Sequence, residues 1–423
     1  MNLREFRRVG NLPTLFCAFL YFDISFMVWV LIGALGNSIA AEFNLSPGQK
    51  GLIVAVPLLG GAALRLVLGL MTDHWGARRT GIIGLVLTLV PLVLGWLWAD
   101  SFSQMLLIGL MLGVAGASFA AALPLASRWY PREHQGLAMG IAGAGNSGTA
   151  LATFFGPRLA EQIGWHGVFG LALAPVLITL VVFSLLAKDS PTQPQPQPLS
   201  RYAAVLAQRD TWWFCLFYSI TFGGFVGLAS MLNIFFHDQY GLTAPQAGLY
   251  TTLCVISGSF LRPVGGYFSD RLGGLRVLTA LYLGVGLTMI ALATSPILGV
   301  GVLLMFVTMG MLGLGNGAVF QLVPQRFSQE IGVITGIVGA AGGIGGFLLP
   351  NVLGQMKQWT ASFGGGFLVF SLISFGGAVT LAFVSQGWQT AFLRRGGLAV
   401  APYDAQEPQP LEVGLEPATS NVA

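Results

Sequence analysis

The chain has 423 residues, 54% hydrophobic and 9% charged, with 59 glycines and a net charge of +4. A soluble domain carries about 25% charge and about 7% Gly, so an ordinary soluble enzyme is excluded, and the apolarity excludes a disordered scaffold. A mean hydropathy of +0.75 makes lipid the solvent, and a pI of about 9.1 then reflects loops on an anionic leaflet rather than nucleic-acid binding.

Residues 1–11 are basic (Arg4, Arg7, Arg8). The apolar run after them is too long for a removable signal peptide and reads as the first membrane helix. A spanning helix needs about 20 mostly apolar residues, and helices are required because lipid offers the backbone no partner. Such runs predict spans at 12–41, 50–71, 80–99, 104–126, 136–157 and 166–187. A polar stretch follows at 188–210, with Pro191, Pro194, Pro196 and Pro198. Six more spans are predicted at 211–237, 245–268, 276–295, 298–322, 331–356 and 363–387. The tail, 388–423, is expected to be disordered. The expectation is an all-α membrane bundle of twelve helices in two halves, 1–187 and 211–387, joined by a cytoplasmic linker.

With the N-terminus inside, fifteen basic residues fall on the inner side: Arg4, Arg7, Arg8, Arg78, Arg79, Arg128, Arg132, Lys188, Arg201, Arg209, Arg271, Arg276, Arg326, Arg394 and Arg395. The outer loops hold three, Lys50, Arg158 and Lys357. That asymmetry predicts cytoplasmic termini and a cytoplasmic linker. Cys17, Cys215 and Cys254 lie in apolar runs without CxxC spacing, and His74, His134, His166 and His237 sit near span ends. Neither a metal site nor a cofactor is expected.

The halves repeat. Arg65 and Asp73 recur 197 positions later as Arg262 and Asp270. GLMTDHWGARR (69–79) resembles GYFSDRLGGLR (266–276), and GVAGASFAAALP (113–124) resembles GLGNGAVFQLVP (313–324). Span five, GIAGAGNSG (140–148), shares a glycine frame with GIVGAAGGIGG (336–346). Weak internal repeats of this kind indicate two bundles with a substrate site between them.

Arg65 and Arg262 carry the strongest local signal. An arginine at mid-span costs about 3 kcal/mol on insertion scales, so such residues face a bundle interior or an aqueous cavity. A pseudo-two-fold axis brings these two towards each other. Each could pair with a carboxylate or with helix-end carbonyls, but Asp23 is the one carboxylate well inside a span. An anion is the partner that neutralises both. Two planar forks of donors suit a small oxyanion; the residues themselves leave nitrate, nitrite, carboxylates and sulfonates open.

The glycine runs (Gly136, Gly140, Gly143, Gly145, Gly148; Gly332, Gly336, Gly339, Gly342, Gly343, Gly345, Gly346) let helices approach closely. Smooth contacts also permit rocking between bundles. Asn146 could donate to an anion or bridge helices. Asp23 is a candidate proton-coupling residue, or else a carboxyl paired with an arginine or a neighbouring helix. Phe119, Tyr218 and Phe222 are ordinary packing candidates in a chain with 30 Phe.

The six-plus-six layout and the paired loops resemble the major facilitator superfamily. Its loop pattern is G-x-x-x-D-[RK]-x-G-[RK]-[RK]. Asp73, Arg78, Asp270 and Arg271 fit this gating motif, while His74, Ala77, Gly274 and Leu275 depart from it. Within the superfamily the chain resembles the nitrate/nitrite porters. The resemblance is carried by GIAGAGNSGTALATFFGP, by GVITGIVGAAGGIGGFLLP (332–350) and by the arginines of spans two and eight. It implies that Arg65 and Arg262 hold the anion from both sides. It further implies that Asn146 and Tyr218 add hydrogen bonds and that Phe119 and Phe222 stack on the anion. The implied activity is nitrate transport, nitrite being a second substrate, across the inner membrane by alternating access. LYFDISFMVWVL resembles the proton-symporter branch; the alternatives are nitrate/nitrite antiport and a non-transporting nitrate sensor. The expected partners are the anion, protons and lipid, with no nucleic acid and a monomeric state. Mid-span constellations of an enzyme are not found.

Overall fold

The computed structural model describes residues 6, 8–130, 132–191, 199–327, 330–394 and 396–399. Arg4, Arg7 and Arg395, linker residues 192–198 and tail residues 400–423 lie outside the described residues, as do the side chains of Arg132, His134 and Arg394.

The chain is a multi-pass helical bundle. Its first rod, Leu12–Trp29, continues through short helices Leu31–Ala34 and Gly36–Glu42. The rest of the first half comprises Pro47–Trp75, Ala77–Leu97, Phe102–Gly116 with Phe119–Ser127, and Arg132–Gly143 running into Gly148–Leu186. This last helix breaks at Gly164, whose φ of 71° only glycine adopts readily, so it forms the fifth and sixth rods. The second half comprises Arg209–Tyr218 with Gly224–Tyr240, then Ala244–Leu272, Gly274–Ala293, Leu298–Arg326, Ile331–Thr360 and Gly364–Ala391. Ten described segments are long and apolar enough to span a membrane. One of them divides at Gly164, and Ala244–Leu272, interrupted by Arg262 and ending in Asp270 and Arg271, adds the twelfth rod.

Local chemistry repeats with the fold. The second rod starts on a capping box, Ser46 with Gln49, and the eighth on another, Thr243 with Gln246. Gly76 and Gly273 end these rods at φ 87° and 94°, which explains the second of the two glycines kept in both copies of the loop motif.

One expectation is corrected. Within the tail, 388–391 complete the last helix, and Leu393–Arg394 pairs antiparallel with Leu398–Ala399. The carbonyls of Gly397 and Gly396 accept from Gly274 N (3.2 Å) and Arg276 N (3.3 Å). These N–H groups start a helix and have no partner within it. The linker also holds a helix, Leu199–Leu206. Arg201 pairs with Glu330 of the second half at 3.1 Å, and the Tyr202 hydroxyl reaches Asp73 of the first half at 3.4 Å. The linker therefore straps one end of the bundle, called here the linker face. Burial and the Asp73 charge push the Tyr202 hydroxyl up to about 12.

At the opposite, far face the halves close on each other. A Cβ on Gly51 would run into the Pro350 carbonyl, and one on Gly248 into the Thr153 carbonyl. Thr153 and Thr252 hydroxyls bond across the fifth–eighth seam at 2.8 Å. Asn37 Nδ2 donates to Asn233 O at 3.1 Å, Asn233 Nδ2 donates back to Ala34 O, and Lys50 pairs with Asp238 at 2.8 Å. Towards the linker face the seams diverge. Gly69 and Gly336 on the second–eleventh seam, and Gly140 and Gly143 on the fifth helix, have no other atom within 4 Å of where a Cβ would point.

Candidate functional site

Arg65 lies in the middle of Pro47–Trp75 and is 1% exposed. Its Nε donates to Gly116 O at 3.1 Å, and its Nη1 donates to Gly339 O at 2.5 Å on the eleventh helix of the other half. Nη2 is buried with no partner. The guanidinium lies over three rings, Phe222 at 4.9 Å, Trp29 at 5.2 Å and Phe119 at 5.6 Å. The π faces attract the cation, but they accept no conventional hydrogen bond.

Arg262, its repeat partner, is partly exposed and lies over Phe119 and Phe320, both at 5.8 Å. Its Nη1 is also buried without a partner. Phe119 thus touches both guanidiniums and marks the point where the halves meet. Among the described residues neither arginine pairs with a carboxylate. The carbonyl alternative holds for two donors of Arg65 and leaves its Nη2 unsatisfied.

Tyr218 and Phe222 complete the wall. The π-helical turn Ser219–Gly223 follows Tyr218, and the two rings stack at 5.0 Å with 5° between planes. Such turns inside α-helices are frequent at functional sites. The Tyr218 hydroxyl is buried beside Arg262 and within electrostatic reach of both arginines. Asn146 sits in the 3-10 turn Ala144–Ser147, which packs against the first and eighth rods. Its Oδ1 is buried without a partner, and among the described residues its amide makes no hydrogen bond to another helix.

The expected glycines divide into two groups. Gly342 leaves room for the wall: a Cβ there would lie 2.7 Å from Tyr218 and 3.0 Å from Phe222. Gly343 would meet Ala62 at 2.9 Å and Gly145 would meet Phe22 at 2.8 Å, while Gly339 offers its carbonyl to Arg65. Gly140, Gly143 and Gly336 make no close helix contact, because they sit where the seams diverge.

Asp23 forms no ion pair with either arginine. It is 8% exposed and accepts a 2.6 Å hydrogen bond from Ser147 Oγ on the fifth helix, so the arginine-pairing alternative is not what the structure contains. In the loop motif, Asp73 pairs with Arg128 at 2.8 Å, and Arg78 N donates to Asp189 at 2.9 Å. Asp270 forms no ion pair among the described residues, and Arg271 lies over Tyr267 at 4.5 Å. A depression of about 360 Å³ lined by Asn37, Lys50 and His237 opens on the far face, away from this chemistry. Trp29, Phe320 and the Gly339 carbonyl were not singled out from sequence. Phe320 lay inside the repeated GLGNGAVFQLVP segment, which was the available signal.

The family model described as Major Facilitator Superfamily matches residues 17–350. The chain is similar to the "Nitrite extrusion protein" of Bacillus subtilis, 35% identical over 82% of this chain and 88% of that one. It is similar to a probable nitrate/nitrite transporter of Mycobacterium tuberculosis, 36% identical over 78% and 85%. A probable nitrate/nitrite antiporter of Thermus thermophilus is 31% identical over 84% and 87%. In fold the chain is similar to a bacterial homolog of the lysosomal transporter Spinster in an inward-facing and occupied conformation. The TM-score is 0.69 at 16% identity, covering 90% of this chain and 98% of that one.

Proposed function

The chain belongs to the nitrate/nitrite porter family of the major facilitator superfamily and is a carrier rather than an enzyme, and from that premise we propose that it moves nitrate, and nitrite with it, by alternating access. The observation that carries this reading is the pair of guanidiniums, each with one buried Nη that has no partner, walled by aromatic faces and lacking a carboxylate partner among the described residues. A planar oxyanion supplies in-plane acceptors to both forks and lays its π face against Phe119 and Phe222. Tyr218 and Asn146 add neutral donors. Binding removes an uncompensated charge pair, which lowers the barrier to moving the halves.

The linker face is cytoplasmic in this reading, as the excess of basic residues there requires. Partly exposed Arg262 and fully buried Arg65 then describe a site reached from the cytoplasm of an inner-membrane protein. Rocking closes the diverging seams around Gly336 and Gly140 and parts the Asn37–Asn233 and Lys50–Asp238 contacts. Asp23 is the proton-coupling residue of a nitrate symporter, acting through the first–fifth seam that Ser147 holds. One observation favours the second reading, nitrate/nitrite exchange: Asp23 is bonded to Ser147, and among the described residues no carboxylate pairs with the arginines.

Nitrate influx into proteoliposomes with an anion-free lumen tests the coupling, with and without an inward proton gradient. Gradient-driven accumulation supports symport. Influx that appears only after loading the lumen with nitrite or nitrate overturns it in favour of exchange.

A further inference from the structure

We infer that Asn316 is a further ligand of the anion, contributed by the second half; this rests on the arginine-pair reading above. Leu298–Arg326 shows different neighbours different sides. Leu312 meets Gly224 of the seventh rod, while Gly313 and Gly317 close on the backbone of Gly258 and Arg262 in the eighth. At about 100° per residue, Asn316 falls on the strip between these two sides. Phe320, one turn on and about 40° round, meets Tyr218 of the seventh rod at 5.0 Å and Arg262 of the eighth at 5.8 Å. The Asn316 side chain therefore enters the crevice that Phe320 lines.

What it does there is not structural. Asn316 is 1% exposed, its Oδ1 has no partner, and its amide makes no hydrogen bond among the described residues. Burying an amide unsatisfied destabilises the fold that holds it. The repeat gives the position a second meaning, because in the paired segments 113–124 and 313–324 Asn316 is the counterpart of Gly116, whose carbonyl accepts from Arg65 Nε at 3.1 Å. A carboxamide in the mirror position supplies a donor to an oxyanion oxygen without adding charge, so a monovalent anion is not further over-compensated.

The test is nitrate binding by calorimetry on purified wild type, Asn316→Leu and Arg262→Lys, together with the thermal midpoint of each anion-free protein. Asn316→Leu is expected to bind nitrate about tenfold more weakly, the effect of one lost hydrogen bond to an ion. Its anion-free midpoint is expected to be no lower than wild type, because an unsatisfied amide has been removed. Wild-type affinity in Asn316→Leu overturns the inference. So does a lowered midpoint or failure to fold, since either makes the amide part of the fold. If wild type binds no nitrate, or Arg262→Lys binds as wild type does, the arginine reading itself fails; loss in Arg262→Lys alone sinks only the role of Asn316.

Discussion

Replacing Arg65 with lysine keeps the charge and removes the fork. In the structure Arg65 gives Nε to Gly116 O and Nη1 to Gly339 O, and Nη2 is left over. An ammonium has three N–H groups in no common plane. Once the two carbonyls are satisfied it offers the anion one donor where guanidinium offers an edge. One charge-assisted hydrogen bond is worth about 1.5–3 kcal/mol. The cation–π contact with Phe222 and Trp29, at 4.9 and 5.2 Å, is weakened too, by about 0.5–1 kcal/mol. The sum is about 2–4 kcal/mol, or about 30-fold to 1,000-fold in affinity. Nitrate calorimetry on purified protein reads this directly, and chloride competition reads the lost preference for planar anions. An Arg65→Lys dissociation constant within threefold of wild type would refute the reasoning, because bidentate geometry would then contribute nothing.

Other outcomes follow from the same geometry. Gly342→Ala puts a Cβ against Tyr218 and Phe222 and should cost about 1–3 kcal/mol of nitrate binding, whereas Gly140→Ala, pointing into open space, should bind within threefold of wild type; equal affinities for the two would count against the aromatic wall. Gly336→Leu should retain binding but block transport, since its side chain fills the seam that must close; normal flux would mean that this seam does not close in the cycle. Asp23→Asn can still accept from Ser147 and should keep nitrate binding while losing gradient-driven accumulation; an unchanged pH dependence of transport would return Asp23 to a structural role.

The twelve rods were legible because lipid forces length and apolarity on each of them, and the repeat was legible through the arginines and the loop glycines. Gly76 and Gly273 show why: the same left-handed backbone is needed in both halves, and glycine meets it most easily. Other features had no such single cause. The 3-10 turn carrying Asn146 and the π turn beyond Tyr218 differ from α-helix by small local energies, which tertiary packing decides. Trp29 and Phe320 were hidden among 10 Trp and 30 Phe, since composition does not say which ring meets a cation. Gly336 and Gly342 look alike in sequence, yet one faces an open seam and the other the aromatic wall. The pairing of Leu393–Arg394 with Leu398–Ala399 is not legible in sequence because Gly396 and Gly397 dock on the distant start of the ninth rod rather than on anything nearby in the chain.

The central claim is that the arginine pair binds the anion that the halves carry, and counterflow tests it independently of the coupling ion. Proteoliposomes loaded with unlabelled nitrate should take up labelled nitrate transiently above its equilibrium level with wild type and not with Arg262→Gln. Overshoot of equal size in the variant, or none with wild type, would contradict the account.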